Sequence, residues 1–356
     1  VRAPPLDQHL TQARAVVGPL AGSWETTLVA LSRCSDSWLN PRHALLTRDL
    51  LEYQLRPLLR CASVLLVCGA GSENDETHGL RFTLHPPAAE WRAVDRQRAH
   101  QTCAVVRKQE LLLTGEEVNC AVLSPRTGRW RPGPLMPSLR YTHCAQQLGD
   151  ATVIAAGYNL HYLTSTLVLC TTRDETDAKW TSAADMNTPR ARCGNAVVAS
   201  ADPTAHRMIV AGGWNAQRLL DCVELYDCVA DRWSVHHSRL PRTMLCEAAP
   251  IASGSAVMLV QSDNSDSSAF AAAMFDVRSE RSHWSTLAAP PLSRNYHAMA
   301  AVDDHSVVML GGQGPGSRRC DSAQLYDARS DCWRVATEWQ LPSGASFHCA
   351  ALLHDF

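Results

Sequence analysis

A tryptophan returns along most of the chain at a nearly even spacing, and this recurrence constrains the fold more than any other feature. Successive members are 39 to 53 residues apart, and the series is Trp91, Trp130, Trp180, Trp233, Trp284 and Trp333. Each member closes a similar phrase, best seen in ELYDCVADRW (224–233) and QLYDARSDCW (324–333). Self-similarity with a period of this length indicates one supersecondary unit repeated along the chain.

Each repeat also carries short apolar runs upstream of its tryptophan. One run ends in glycine or a substitute for it: VLLVCGAG (64–71), LLLTG (111–115), TVIAAG (152–157), MIVAGG (208–213), VMLVQS (257–262) and VVMLGG (307–312). A second apolar stretch precedes most of these runs. Short runs rich in Val, Ala and Leu between Gly, Pro, Asp and Ser clusters are typical of strands. Each period therefore predicts four strands, which is one blade of a β-propeller.

The two ends of the repeat region complement each other. The first copy has no inner strand ahead of residues 64–71, whereas SFHCAALLHDF (346–356) is a surplus inner strand. We expect this C-terminal strand to complete the first blade, because closing the ring removes exposed strand edges. The sequence thus predicts an all-β fold with six blades.

The glycine pairs, the Tyr-Asp dipeptides and the later tryptophan resemble the Kelch repeat. The segment 186–233 is especially similar to blades of Kelch-like proteins, which combine BTB, BACK and Kelch domains. The resemblance covers residues 61–356 and implies a six-bladed Kelch propeller. It is strong in the fourth and sixth copies, while the second, third and fifth copies lack the full glycine pair.

Residues 1–60 differ in kind from the repeats. Leu6, Leu10 and Val17 have helical spacing, and Asn40 followed by Pro41 is typical of a helix start. Two or three helices before a propeller resemble the end of a BACK domain, with an unrelated helical cap as the alternative. No BTB domain is visible, so the resemblance implies a fragment or a member without that module.

Composition narrows the possible partners and locations. A net charge of −2 gives no electrostatic reason to expect nucleic acid as a partner. No apolar run is long enough for a membrane helix, and no secretory signal pattern opens the chain. The 14 cysteines include no CxxC pair and lie mostly in apolar runs. We therefore expect a reduced, cytoplasmic protein without a membrane partner.

The resemblance also implies where a partner binds. Kelch-like proteins use loops that lead into the inner strand and loops that follow the glycine strand. The matching candidates here are His100, Tyr158, Arg192, Trp214, Asn215, Arg218, Tyr296, Arg318, Arg319 and Phe347. Arginine and aromatic side chains are common in recognition hot spots. Three further arginines, Arg140, Arg190 and Arg294, recur with the repeat itself, so a structural role is favoured over binding.

Catalytic and metal sites find less support. Cysteines and histidines near the inner strands are compatible with a metal site. The favoured interpretation is that the narrow inner strands need small residues, which recur because the blade is repeated. No nucleophile motif or matched acidic cluster is present, so no catalytic residue and no cofactor is expected. SDNSDSS (262–268) and GSENDETHG (71–79) are interpreted as polar loops.

The function implied by the resemblance is protein recognition. A substrate-recognition subunit of a cullin-RING ubiquitin ligase is the first hypothesis, with a cullin as a further partner. The alternatives are an actin-associated cytoskeletal scaffold and, with less support, a Kelch-fold enzyme such as an oxidase or a sugar epimerase.

Overall fold

The computed structural model describes most of the repeat region and leaves out its N-terminal flank. The described residues are 63–70, 77–83, 92–97, 103–107, 110–115, 118–124, 129–170, 178–199, 207–251, 254–261, 272–276, 283–346 and 348–354. They form strands and two 3₁₀ turns (Pro315–Ser317 and Thr337–Trp339), without an α-helix. Within these residues, no helix has the length and apolar character needed to cross a bilayer.

The strands are short and follow one another along the whole described region. In chain order they are β1 (Ser63–Ala70), β2 (Thr77–Thr83), β3 (Arg92–Gln97), β4 (Cys103–Arg107), β5 (Glu110–Thr114), β6 (Ala121–Ser124), β7 (Arg129–Pro132), β8 (Cys144–Leu148), β9 (Ala151–Ala155), β10 (Tyr158–Asn159), β11 (His161–Tyr162), β12 (Thr166–Cys170), β13 (Trp180–Ala183), β14 (Gly194–Val198), β15 (Arg207–Ala211), β16 (Val223–Asp227), β17 (Arg232–Val235), β18 (Cys246–Ile251), β19 (Ala256–Gln261), β20 (Ala272–Asp276), β21 (Trp284–Leu287), β22 (Ala298–Ala301), β23 (Ser306–Leu310), β24 (Ala323–Asp327), β25 (Cys332–Val335) and β26 (His348–His354).

The strands pair into four-stranded sheets, as expected for propeller blades. Five blades use only their own successive strands: β4–β7, β8-β9-β12-β13, β14–β17, β18–β21 and β22–β25. The first strands of neighbouring blades contact each other, from β4 to β8, β14, β18 and β22. A further four-stranded sheet is composite, with the order β26-β1-β2-β3. The prediction of an all-β propeller is therefore confirmed.

The predicted count of six blades needs a correction. Five blades are shown as units of consecutive strands, whereas the first repeat supplies only three strands to its sheet. Among the described residues, the fourth strand of that sheet is β26 from the far end of the chain, and its pairing with β1 is the one that the sequence predicted. The predicted helical segment, residues 1–60, lies outside the described residues, and the domain boundary at residue 60 stays a prediction.

Three side chains near the end of the repeat, Tyr226, Asp231 and Trp233, link one blade to the previous one. In the blade β14–β17 the Tyr226 hydroxyl donates to Asp231 Oδ1 at 2.9 Å, and the same oxygen accepts the Ala184 amide of the preceding blade at 2.8 Å. The indole N–H of Trp233 donates to Thr166 Oγ1 at 3.0 Å, again in the preceding blade. Trp233 is 6 % exposed. These contacts confirm that the tryptophan fills a wedge between blades.

Three arginines at equivalent positions hold the loops of their blades together from inside. Nη1 of each donates to two backbone carbonyls at 2.7–3.3 Å: Arg140 to Ala156 and Ser165, Arg190 to Gly212 and Cys222, Arg294 to Gly311 and Ser322. Each residue is at most 1 % exposed. Buried carbonyls need such donors where strand pairing ends. The structural role predicted for these arginines is confirmed.

The turn after the glycine strand requires a left-handed backbone conformation. One blade forms this turn with a single glycine. Gly212 and Gly213 have φ of 65° and 94°, and a Cβ at Gly213 would lie 2.7 Å from the Ala191 carbonyl oxygen. In the blade that begins with β8, Ala156 takes the place of the first glycine with φ of 61°. The left-handed backbone is slightly strained for alanine, but the turn has the same form.

Candidate functional site

Four of the predicted site residues lie around one open cavity of about 730 Å³. They are Tyr158, Arg192, Trp214 and Tyr296, which come from three different blades. The remaining lining residues are mostly apolar or aromatic: Leu139, Tyr141, Thr142, Asn159, Leu160, Tyr162, Ala191 and Leu245. Arg192 is therefore the one charged side chain among these lining residues. A cavity of this size, with apolar walls and few polar groups, is typical of ligand and partner sites.

Arg192 connects two blades that are not adjacent. Its Nη2 donates to Asn295 Oδ1 at 2.7 Å, and its guanidinium carbon lies 4.1 Å from the centre of the Tyr296 ring. This is cation–π geometry, and the planar guanidinium stacks on the ring in a fixed orientation. The partners are more than 100 residues apart in sequence, so the arrangement depends on how the blades pack.

The backbone that presents these side chains is unusual. Thr142, Arg192 and Tyr296 stand two positions after the three buried arginines, and their φ angles are 48°, 54° and 53°. Left-handed backbone is uncommon for residues other than glycine, and it is rarer still for bulky ones. Such strain is found most often at binding and catalytic sites, where the surrounding structure enforces it.

A small hairpin between the second and third strands of one blade forms part of the cavity rim. β10 and β11 pair Tyr158 with Tyr162, and their rings meet edge to face at 5.1 Å. Leu160 forms the tip with φ of 58° and is 90 % exposed. Sequence reasoning missed Leu160 and Tyr162. The nearly palindromic segment YNLHY (158–162) is the signal that could have indicated this hairpin.

The other predicted site residues fall elsewhere. Asn215 stabilises its own loop, because its Oδ1 accepts the amides of Gln217 and Arg218 at 3.2 and 3.1 Å. Arg318 and Arg319 belong to the loop after β23, where the Arg319 backbone bridges to Gln313. None of these residues is among those that line the cavity. His100 and Phe347 lie outside the described residues.

His143, which directly precedes β8, is a buried histidine whose two ring nitrogens bond within the protein. His143 Nδ1 donates to the Arg140 carbonyl at 3.2 Å, so its Nε2 accepts from the Thr114 hydroxyl at 2.8 Å. Burial, helped by the Arg140 charge, lowers the pKa of His143 to about 3, which keeps the ring neutral. No group of three or more His, Cys, Asp or Glu in the described ranges is arranged to hold a metal ion.

One acidic residue lies within electrostatic reach of Arg192. Glu247, in β18, belongs to the blade between those of Arg192 and Tyr296. Burial raises the pKa of Glu247 from 4.5 to about 8, although the Arg192 charge acts to lower it. The carboxyl group of Glu247 is therefore mostly protonated at neutral pH. In this form it carries no negative charge that would neutralise the Arg192 guanidinium.

Glu247 gives a testable dependence of stability on pH. Because its pKa is higher in the folded state, its contribution to stability is complete below pH 4.5 and is lost as the pH rises to about 8. In urea titrations, the free energy of unfolding of the wild type should fall over this interval relative to Glu247→Gln. Glu338→Gln is the matched control, because Arg334 lowers the pKa of that exposed carboxyl instead. Equal pH profiles for the wild type and Glu247→Gln would contradict the expectation.

Comparison with known families identifies a match in the middle of the chain. The family described as Kelch motif matches residues 190–235, which is the blade β14–β17 together with the buried Arg190 before it. No curated protein matches the chain. A propeller that carries a Kelch motif suggests a protein–protein interaction module, and this fold is typically not enzymatic.

Proposed function

We propose that this protein is a non-enzymatic recognition module that binds a protein partner at the cavity around Arg192 and Tyr296. The observation that carries the proposal is the stack of Arg192 on Tyr296, held by Asn295 across two non-adjacent blades. Arginine, tyrosine and tryptophan are the residues most enriched among interface hot spots, and they act from well-packed, partly enclosed settings. All three line this cavity.

Preorganisation further supports a binding role. The guanidinium is already oriented by the ring and the amide, and the left-handed backbone holds both residues in place. A partner that binds here orders few additional side chains, which lowers the entropic cost of association. The exposed Leu160 beside the cavity adds an apolar contact that a soluble partner surface would cover.

The proposal extends to the architecture of the whole chain. The composite sheet β26-β1-β2-β3 closes the Kelch propeller of residues 61–356 by joining strands from the two ends of the repeat region. Its support is the same four-strand order as in the other blades and the contact between β3 and β7. Residues 1–60 are the helical end of a BACK domain, for which the support is their sequence pattern.

The proposed partner is a protein that a cullin-RING ubiquitin ligase modifies in the cytoplasm. This step rests on the resemblance of the repeats to Kelch-like proteins and on the Kelch motif at 190–235. An actin-associated scaffold would use the same recognition module with a different partner.

Capture from a cell lysate tests the binding surface. The immobilised wild type is compared with Arg192→Ala combined with Tyr296→Ala, and retained proteins are quantified by mass spectrometry. We expect specific partners to fall by about tenfold or more, since hot-spot truncations cost about 2 kcal/mol or more. Arg218→Ala is the control, because Arg218 is an exposed arginine that does not line the cavity. Melting curves verify that each variant is folded.

Each outcome of the capture has a definite meaning. A cullin, together with partners that the double variant loses, supports the ligase assignment. Loss of actin, confirmed by co-sedimentation with F-actin, supports the scaffold instead. Partners retained equally by the wild type and the folded double variant would overturn the placement of the binding surface.

A further inference from the structure

Two thiols from adjacent blades meet below one wall of the cavity. Cys144 is the first residue of β8, and Cys193 directly precedes β14. Their Sγ atoms are 3.2 Å apart, and the Cys144 thiol is also 3.4 Å from the Cys193 carbonyl oxygen. Cys144 is fully buried and Cys193 is 5 % exposed. The pair is 49 residues apart in sequence, and both residues belong to the cysteines near the inner strands that the sequence analysis considered for a metal site.

The backbones around the two thiols are already held together. The Arg192 amide donates to the Thr142 carbonyl at 3.2 Å, so the two chains are tied one or two residues before the cysteines. A disulfide has an S–S distance of about 2.05 Å, so the sulfur atoms need to approach by a little more than about 1 Å. Rotation of the two side chains provides most of such a movement, because the chains themselves are in contact.

A third thiol shows what is specific to this pair. Cys246 is the first residue of β18, in the position that Cys144 has in β8. Its thiol donates to the Ala211 carbonyl at 3.3 Å, and burial raises its pKa well above the usual range. Cys246 therefore has the same burial and strand position as Cys144, but its thiol is directed at a carbonyl oxygen.

We propose that Cys144 and Cys193 form a reversible disulfide that links the two blades when the protein meets a hydroperoxide. Cys193, the more accessible of the two, attacks the peroxide as its thiolate and becomes a sulfenic acid, with cleavage of the O–O bond. The Cys144 sulfur then displaces the sulfenic oxygen. In total, two thiols and one hydrogen peroxide give one disulfide and two molecules of water.

The cross-link has a direct structural consequence for the cavity. Thr142 and Arg192, which stand just before the two cysteines, are both lining residues. The disulfide would fix the separation of the two blades at this wall. It would also close a loop of about 50 residues, which restricts the unfolded chain and raises the melting temperature by a few degrees. Neither effect depends on the identity of the partner proposed above.

Peptide mapping tests the disulfide directly. The reduced full chain is treated with hydrogen peroxide, remaining thiols are blocked, and the digest is analysed by mass spectrometry without reductant. We expect a linked pair of peptides that contains Cys144 and Cys193, lighter by two hydrogen atoms than the separate peptides and released by dithiothreitol. If both cysteines are recovered only as blocked thiols or as unlinked oxidised forms, the proposal is overturned.

Single variants determine the order of the steps. Cys144→Ser should leave a sulfenic acid on Cys193 that dimedone traps, and Cys193→Ser should remove both the cross-link and the rise in melting temperature. Cys246→Ser is the matched control and should form the linked peptides as the wild type does. Linkage of Cys193 to Cys246 in the wild type would contradict the assigned pair. The wild-type map stands by itself if a variant does not fold.

Discussion

Replacing Trp233 by alanine is expected to lower the free energy of unfolding by about 3–5 kcal/mol, the usual cost of truncating a large buried aromatic residue. The indole lies between two blades, packs 5.0 Å from the Tyr226 ring and is 6 % exposed. Its removal leaves a cavity at the blade interface and a buried Thr166 hydroxyl without its donor. Denaturant titrations monitored by circular dichroism would measure the change.

Trp233→Phe serves as the control for this prediction. Phenylalanine keeps most of the apolar contact and loses the N–H bond to Thr166, so the expected cost is smaller than for alanine. An alanine variant with an unchanged unfolding transition would show that Trp233 does not hold the two blades together.

Glu224→Ala is the second substitution with a large expected effect, about 3–5 kcal/mol. Glu224 and Arg190 form an ion pair at 2.7 Å, and both side chains are fully buried. The carboxylate also accepts the amides of Asn187 and Thr188 at 2.7 and 3.0 Å. Removing it leaves the Arg190 charge buried without its counter-ion, which is the costly way to break a buried pair. The free energy of unfolding in guanidinium chloride or urea gives the measurement.

Two comparisons sharpen this prediction. Asp221→Ala breaks a solvent-accessible pair with Arg239 at 2.6 Å, close to the 2.7 Å of the buried pair, and should cost no more than about 1 kcal/mol. Glu224→Gln should cost less than alanine, because Gln324 takes the corresponding place in the blade β22–β25 and bonds both backbone groups of Leu292. Equal destabilisation by Glu224→Ala and Asp221→Ala would refute the importance of the buried pair.

Much of each blade could be predicted from local pattern. The glycine-ended runs became strands, as in β15 and β23, and the register places Tyr226 opposite Trp233 as the repeat implied. The surplus C-terminal strand pairs with β1 as expected. Strand pairing within a blade involves residues close in sequence, and alternation with period two determines which side chains are buried. These patterns are easier to recognise in a repeat protein because the same pattern occurs in several copies.

The candidate site was predicted only in part. Tyr158, Arg192, Trp214 and Tyr296 could be proposed because they occupy repeat positions that precede or follow strands. Leu160 and Tyr162 were missed, because the β10–β11 hairpin is an insertion in one blade and no other repeat indicates it. Asn215 was selected for its position, yet its side chain closes a turn of its own loop.

The sequence by itself determined the repeated unit, its four strands, the turn glycines and the tryptophan at each blade boundary, because these features follow from local backbone preference and apolar alternation. Only the tertiary structure decided which side chains from different blades meet. The Arg192–Tyr296 stack and the Cys144–Cys193 contact join residues 104 and 49 positions apart, respectively. Their distances depend on the angle at which whole blades pack, and that angle results from many buried contacts together, with no local pattern that records it.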